Sequence, residues 1–143
     1  MRLTMASDYA LRVLLFAAAH HDRMVTIDET LAAHEISRGH LMKVVRMLST
    51  AGFLRSQRGR GGGFTLGRAP GAIRLGDVLR ATEPDFHMVE CFGPGSSCSI
   101  LPACRLPGVL SKALAAYMEV MDAHTLQDVL LEPETFGLSR GAR

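Results

Sequence analysis

Cys91, Cys98 and Cys104 are the only cysteines in this 143-residue chain, and one stretch, ECFGPGSSCSILPACR, holds all three. Six residues separate the first pair and five the second. Gly, Pro and Ser fill the interval, so the stretch reads as a loop able to wrap around a ligand. Three thiolates from one loop suit a soft metal centre, either zinc or an iron–sulfur cluster, and spacing alone does not separate the two. Either centre takes a fourth ligand, and there is no fourth cysteine; His87 could complete a zinc site of three cysteines and one histidine. Unrelated buried thiols are the ordinary alternative, but three within fourteen residues of a Gly/Pro loop are not an ordinary distribution. The odd count argues against a disulfide framework, and MRLTMASDYALR lacks the basic and apolar regions of a secretory leader.

The other ionisable residues offer little catalysis. His20, His21, His34, His40, His87 and His124 are scattered, and none stands in a nucleophile or metalloprotease motif, so an enzyme is not expected. Asp8 and Arg12 lie one helical turn apart and by default pair on a helix surface. The longest clean apolar run, Val13 to Ala19, is too short to span a bilayer, and a cytoplasmic location is expected. Net charge is only +2, but eight Lys/Arg and no Asp or Glu fall between Arg38 and Arg74. That acid-free block is a candidate phosphate-binding surface.

The elements around these residues follow from periodicity and caps. Thr4 to about His20 reads as a helix with Leu11, Leu14, Leu15 and Ala18 on its apolar face. Thr26 and Glu29 form a capping box opening a short helix that sends Leu31 and Ala32 inward. Ser37 caps a third helix with the stripe Leu41, Val44, Val45 and Leu48, and Gly52 stands at its left-handed end. Helix, turn and capped helix make a helix-turn-helix. Its second helix would turn Ser37, Arg38, Gly39, His40 and Lys43 towards base edges in the major groove, with Arg46 towards phosphate.

Two short β-prone segments, Phe53 to Arg58 and Phe64 to Leu66, flank Gly59-Arg60-Gly61-Gly62-Gly63. This is a hairpin with a cationic glycine tip, the wing of a winged helix, from which Arg58 and Arg60 can reach phosphate or a minor groove. A nucleotide-binding P-loop would need a following Lys-Ser/Thr and a helix, and neither is present. Ile73 to about Thr82 reads as a further helix ended by Pro84. Pro107 opens a long one striped by Leu110, Ala113, Leu114, Tyr117, Met118 and Met121, and Thr125 with Asp128 caps a last short one. The long helix either folds back or pairs with a second copy. A homodimer is expected, because DNA readers of this size bind two half-sites. The expected fold is mostly α with a small β-hairpin wing, an α+β winged helix-turn-helix with a long C-terminal dimerisation helix. Its parts are the DNA-binding domain at 1–82, the cysteine-rich loop at 83–106, the dimerisation and terminal helices at 107–132, and a tail at 133–143.

These pieces together resemble a known family. MRLTMASDYALRVL, ISRGHLMKVVRML, RGRGGGFTLG, AIRLGDVLRATEP and CRLPGVLSKALAAYMEVMDAHTLQDV match, in order, the winged-helix repressors that include NsrR and IscR. IscR-like members place a histidine ligand three residues after the last cysteine, and Pro107 stands there in this chain. Thr4 to Arg12, Glu83-Pro84 and Pro102 to Leu106 resemble the nitric-oxide-sensing branch instead. That resemblance implies a 4Fe–4S cluster on Cys91, Cys98 and Cys104, with Asp8 of the partner subunit as the fourth ligand and Arg12 holding that carboxylate. It implies a dimer that binds palindromic operator DNA and lets go in response to nitric oxide. A same-fold regulator of iron, redox state or cluster supply, and a zinc-stabilised DNA-binding or interaction module, are the other readings.

Overall fold

A computed structural model describes residues 1–137. Six α-helices and one hairpin follow the order α1 (Met5–Ala19), α2 (Ile27–Ala33), α3 (Arg38–Thr50), β1 (Leu54–Gln57), β2 (Gly63–Leu66), α4 (Leu75–Thr82), α5 (Leu106–Ala123) and α6 (Pro133–Gly137). The caps expected at Thr26 and Ser37 form, and Thr4, expected inside α1, caps it. The Thr4 hydroxyl accepts from the Ser7 N–H, Thr26 and Glu29 close a reciprocal capping box, and the Ser37 hydroxyl accepts from the His40 N–H. Gly52, at φ +79°, takes the left-handed position after α3 that an L side chain resists.

The core lies where α1 meets α3, α4 and the hairpin. α1 is buried on nearly every side and packs Ala10, Val13, Leu14, Ala17 and Ala18 against Leu41, Val44, Leu48, Phe64 and Val78. Its alanines let neighbouring helices approach closely. In α2 the buried residue is Thr30, not Ala32, which is exposed; the Thr30 hydroxyl donates to the Thr26 carbonyl and so tolerates burial. Leu31 is half-buried against the core, as expected.

The hairpin is antiparallel, pairing Leu54 with Leu66 and Gln57 with Gly63. Its second strand also pairs with the segment before α2: the Val25 N–H donates to the Phe64 carbonyl at 3.0 Å, and the Phe64 N–H returns to Val25 at 2.8 Å. The wing base is thereby fixed to the helical core. Arg68 secures the other side, lying 4.9 Å over the Phe53 ring and donating to the Ala51 carbonyl.

α4 starts at Leu75 rather than Ile73. Ile73 and Arg74 are instead extended and bond the segment after α5: the Leu126 N–H donates to Ile73 and the Leu75 N–H to His124. Leu126 is fully buried, so the chain beyond α5 folds back onto its own domain. α5 itself packs on α4, where Arg80 grips Asp122 with two 2.6 Å bonds. Those bonds hold the Asp122 carboxyl below the usual carboxylate range. A side chain at Gly76 would collide with that carboxylate, so Gly76 permits the close crossing.

No residue of α5 is fully buried. Leu110, Leu114, Tyr117, Met118 and Met121 of the expected stripe are half-buried, but Ala113 is exposed. A second stripe runs along the open side: Leu106, Val109, Ala113, Ala116 and Val120, all exposed, at alternating spacings of three and four. That is the spacing of a helix–helix seam. Residues 133–137, expected within the tail, form α6. Phe136 gives this short helix its anchor, meeting the rings of Phe16 at 5.2 Å and His34 at 5.8 Å. The rest of the expected tail lies outside the described residues.

Candidate nucleic-acid interface and metal centre

α3 and its N-cap carry the residues expected to face DNA. Ser37, Arg38, Gly39, His40, Lys43 and Arg46 are all exposed. This follows from the helix's buried stripe, which turns the other side outward. Ser37 both caps the helix and lies 3.0 Å from the His40 ring Nδ1, so it also sets that ring. A methyl group at Gly39 would meet nothing within 4 Å, which leaves the backbone there open to close approach. Met42, 56% exposed, shares this side, as its place outside the Leu41, Val44, Val45, Leu48 stripe implies. Arg38 is less free than its position suggested, because its guanidinium is bonded to Asp28 of α2.

The wing tip is built by its glycines. Gly59 and Gly61 adopt φ values of +95° and +74°, and the Gly62 N–H closes the turn onto the Gly59 carbonyl at 2.9 Å. A Cβ at Gly62 would lie 2.5 Å from the Gln57 carbonyl oxygen. Arg58 precedes this turn, Arg60 lies within it, and both are exposed. α3 and the hairpin therefore present cations from two neighbouring elements, with no acid of their own.

The cysteines occupy the segment between α4 and α5. All three are free thiols; Cys91 and Cys104 are half-buried and Cys98 is exposed. The loop is shaped by local bonds rather than regular structure. Glu90 accepts from the Ser97 N–H and hydroxyl at 2.9 and 3.0 Å, and the Cys104 N–H donates to Leu101. The Ser97 bonds hold the Glu90 carboxyl below its usual range. As a donor set the loop fits a soft metal or iron–sulfur cluster: three unpaired thiols on one segment rich in glycine and proline. Among the described residues, no three His, Cys, Asp or Glu side chains already stand together as a metal site. His87 borders the same groove as Cys91, and its own backbone N–H bonds the Asp85 carboxylate.

Asp8 lies on α1, where Arg12 pairs with it at 2.8 Å; both side chains are nearly half exposed. Arg12 also lies 5.9 Å over the Tyr9 ring. The start of α1 is tied to the end of α4. The Thr4 N–H and hydroxyl both bond Glu83, and the buried Ser7 and Thr82 hydroxyls meet at 2.7 Å. The helix carrying Asp8 is thus fastened to the residues that lead into the cysteine loop.

Residues 3–132 match the Rrf2 family, described as iron-dependent transcriptional regulators. The chain belongs to the Rrf2 family. Relatives named NsrR, an HTH-type transcriptional regulator, come from Bacillus licheniformis and Bacillus subtilis. They are 45% and 44% identical over 136 residues, covering 94% of this chain and 95% and 93% of theirs. Among solved structures, CymR, the global cysteine regulator of B. subtilis, aligns at a TM-score of 0.68 with 25% identity, over 90% of this chain and 95% of that one. T. potens IscR aligns at 0.66 with 24% identity, over 90% of this chain and 85% of its own, and shares the fold. This Rrf2 protein is accordingly a DNA-binding transcriptional regulator and not an enzyme. Among the described residues no helix is long and apolar enough to cross a membrane.

Proposed function

We propose that this Rrf2 protein is a nitric-oxide-responsive repressor. It binds palindromic operator DNA as an iron–sulfur-loaded homodimer and releases it when nitric oxide attacks the cluster. The observation that carries the reading is the loop itself, three free thiols between α4 and α5 in a chain about 45% identical to relatives named NsrR. The cluster, of the 4Fe–4S type, would supply an iron open to small-molecule attack. Cys91, Cys98 and Cys104 would hold three of its positions, and Asp8 of the partner subunit the fourth. A carboxylate is a harder and weaker iron ligand than a thiolate, so the Asp8 position is the vulnerable one. Arg12 restrains that carboxylate through its ion pair.

α1 packs on α3, so a pull on Asp8 reaches the recognition helix through the core. Half-sites lie about 34–36 Å apart, and a small rotation of either recognition helix spoils their match to the major groove. The exposed seam Leu106, Val109, Ala113, Ala116, Val120 supports a dimer formed along α5, with its alanines allowing close contact.

The family's description as iron-dependent favours one second reading, a regulator of the same fold that reports iron or cluster supply. Anaerobic purification, an absorption spectrum, and a nitric-oxide titration followed by operator binding separate the readings. A brown protein that bleaches and leaves its operator together supports the proposal. Metal-free protein that binds as tightly as loaded protein favours the second reading. A colourless protein, even after cluster assembly, points to zinc or to an unmetallated loop.

A further inference from the structure

Asp28, the second residue of α2, has a side chain 79% exposed, and its carboxylate bonds the guanidinium of Arg38, the first residue of α3. The bond spans the turn of the helix-turn-helix. Stability does not account for it, since an ion pair this exposed contributes little to folding. Nor does capping. The neighbouring Glu29 already closes the α2 capping box and pairs with Arg23, whereas Asp28 has no part in that box. On a face meant for DNA a carboxylate is a cost, because it repels the phosphates that supply most of the affinity. An Arg38 serving as a phosphate clamp would be better off without it.

A different use fits both residues. A guanidinium carries five N–H donors in a rigid fork, and a carboxylate on one part of the fork fixes where the others point. We propose that Asp28 is a positioning residue for base recognition. It holds Arg38 so that its remaining donors face the O6 and N7 edge of a guanine, and it withholds that cation from the phosphates. The neighbouring His40 ring is held by Ser37, so both polar side chains at the tip of α3 are set in place before DNA arrives. The proposal rests on the reading that α3 enters the major groove.

The test compares wild type, Asp28→Asn, Asp28→Ala, Asp28→Glu and Arg38→Ala as purified, anaerobically prepared protein, with thermal melts to check folding. Each selects binding sites from a randomised duplex pool. Each is then titrated, at several salt concentrations, with the wild-type-selected duplex and with a random-sequence duplex. Asp28→Asn and Asp28→Ala are expected to bind random duplex roughly two- to fivefold tighter, with a steeper salt dependence, because one repelling charge is gone and one cation is released. They bind the selected duplex about three- to tenfold more weakly and lose a guanine at one symmetric position of the site. Asp28→Glu restores that guanine in part. Arg38→Ala loses the same guanine and about tenfold or more of the specific affinity. Asp28 variants that keep both the guanine and the specificity ratio, beside an Arg38→Ala that loses them, overturn the proposal and leave α3 in the groove. An Arg38→Ala that also changes nothing removes α3's first turn from recognition, and the proposal fails with it.

Discussion

Replacing Gly39 by alanine should make the protein more stable and a poorer DNA binder. Gly39 is the second residue of α3, its backbone is helical, and a Cβ there meets no atom within 4 Å. In the free protein the substitution therefore reduces only the freedom of the unfolded chain, a gain of about 0.5–1 kcal/mol that lifts Tm by roughly 1–4 °C in a domain of this size. If α3 enters the major groove as proposed, the new methyl stands between the helix backbone and the DNA. Pushing the first turn outward by about 1 Å lengthens the contacts of Arg38, His40 and Lys43, and losing one good base contact costs about 1–3 kcal/mol, a fall of roughly 5- to 150-fold in affinity. Urea denaturation reads the first effect, and fluorescence anisotropy with a labelled operator duplex reads the second. A variant that gains stability but binds as tightly as wild type refutes close approach at this residue. A variant that loses stability refutes the open space around it.

Gly63→Ala should do the reverse and unfold more easily. Its Cβ would lie 2.2 Å from the Val25 carbonyl oxygen, so the two Val25–Phe64 bonds must give way at a cost of about 2–4 kcal/mol, read as a lower urea midpoint; a higher midpoint would contradict the packing. His34 is half-buried, and its Nε2 is shielded from solvent with no hydrogen-bond partner among the described residues. Burial, aided by Arg12 and opposed by Asp8, pushes its pKa below the ordinary value near 6.5. Folded protein then takes up this proton less readily than unfolded protein, so stability is full above about pH 6.5 and declines as pH falls through the lowered value. His34→Gln should flatten that decline in denaturation curves, and an unchanged slope would assign it to other groups. Val120→Glu places a charge on the exposed α5 seam and should shift the protein towards monomer in light scattering; an unaltered dimer would move the interface elsewhere. Asp8→Ala should shorten the lifetime of an assembled cluster and alter its nitric-oxide response with little change in Tm, since Asp8 makes only a half-exposed ion pair. An unchanged lifetime and response would remove Asp8 from the site.

Much of the architecture could be read locally because local chemistry decides it. Thr26 with Glu29, Ser37 and Gly52 mark helix ends through bonds to residues within four positions, and each stands where expected. The wing was legible because few turns other than a left-handed one use Gly59-Arg60-Gly61-Gly62-Gly63. Contacts between distant segments were not legible. α6 exists because Phe136 finds Phe16 and His34, and five residues have no helical pattern to announce it. The choice between two stripes on α5 depended on which one α4 covers. In the candidate site, the exposure of the α3 residues followed from its apolar period. The Asp28–Arg38 bond and the Thr4–Glu83 clamp join helices whose relative placement no spacing rule supplies.

The clamp between Thr4 and Glu83 links residues 79 positions apart, and it has a consequence for biosynthesis. α1 has more buried residues than any other described helix, yet much of the surface that covers it comes from α3, β2 and α4, all synthesised later. At 5–20 residues per second, α4 leaves the ribosome about 3–12 s after α1 does. For that interval Val13, Leu14 and Phe16 face solvent or whatever binds nascent chains. Substitutions that weaken α4 or the clamp should therefore lower the yield of soluble protein during translation more than they lower the stability of molecules already folded.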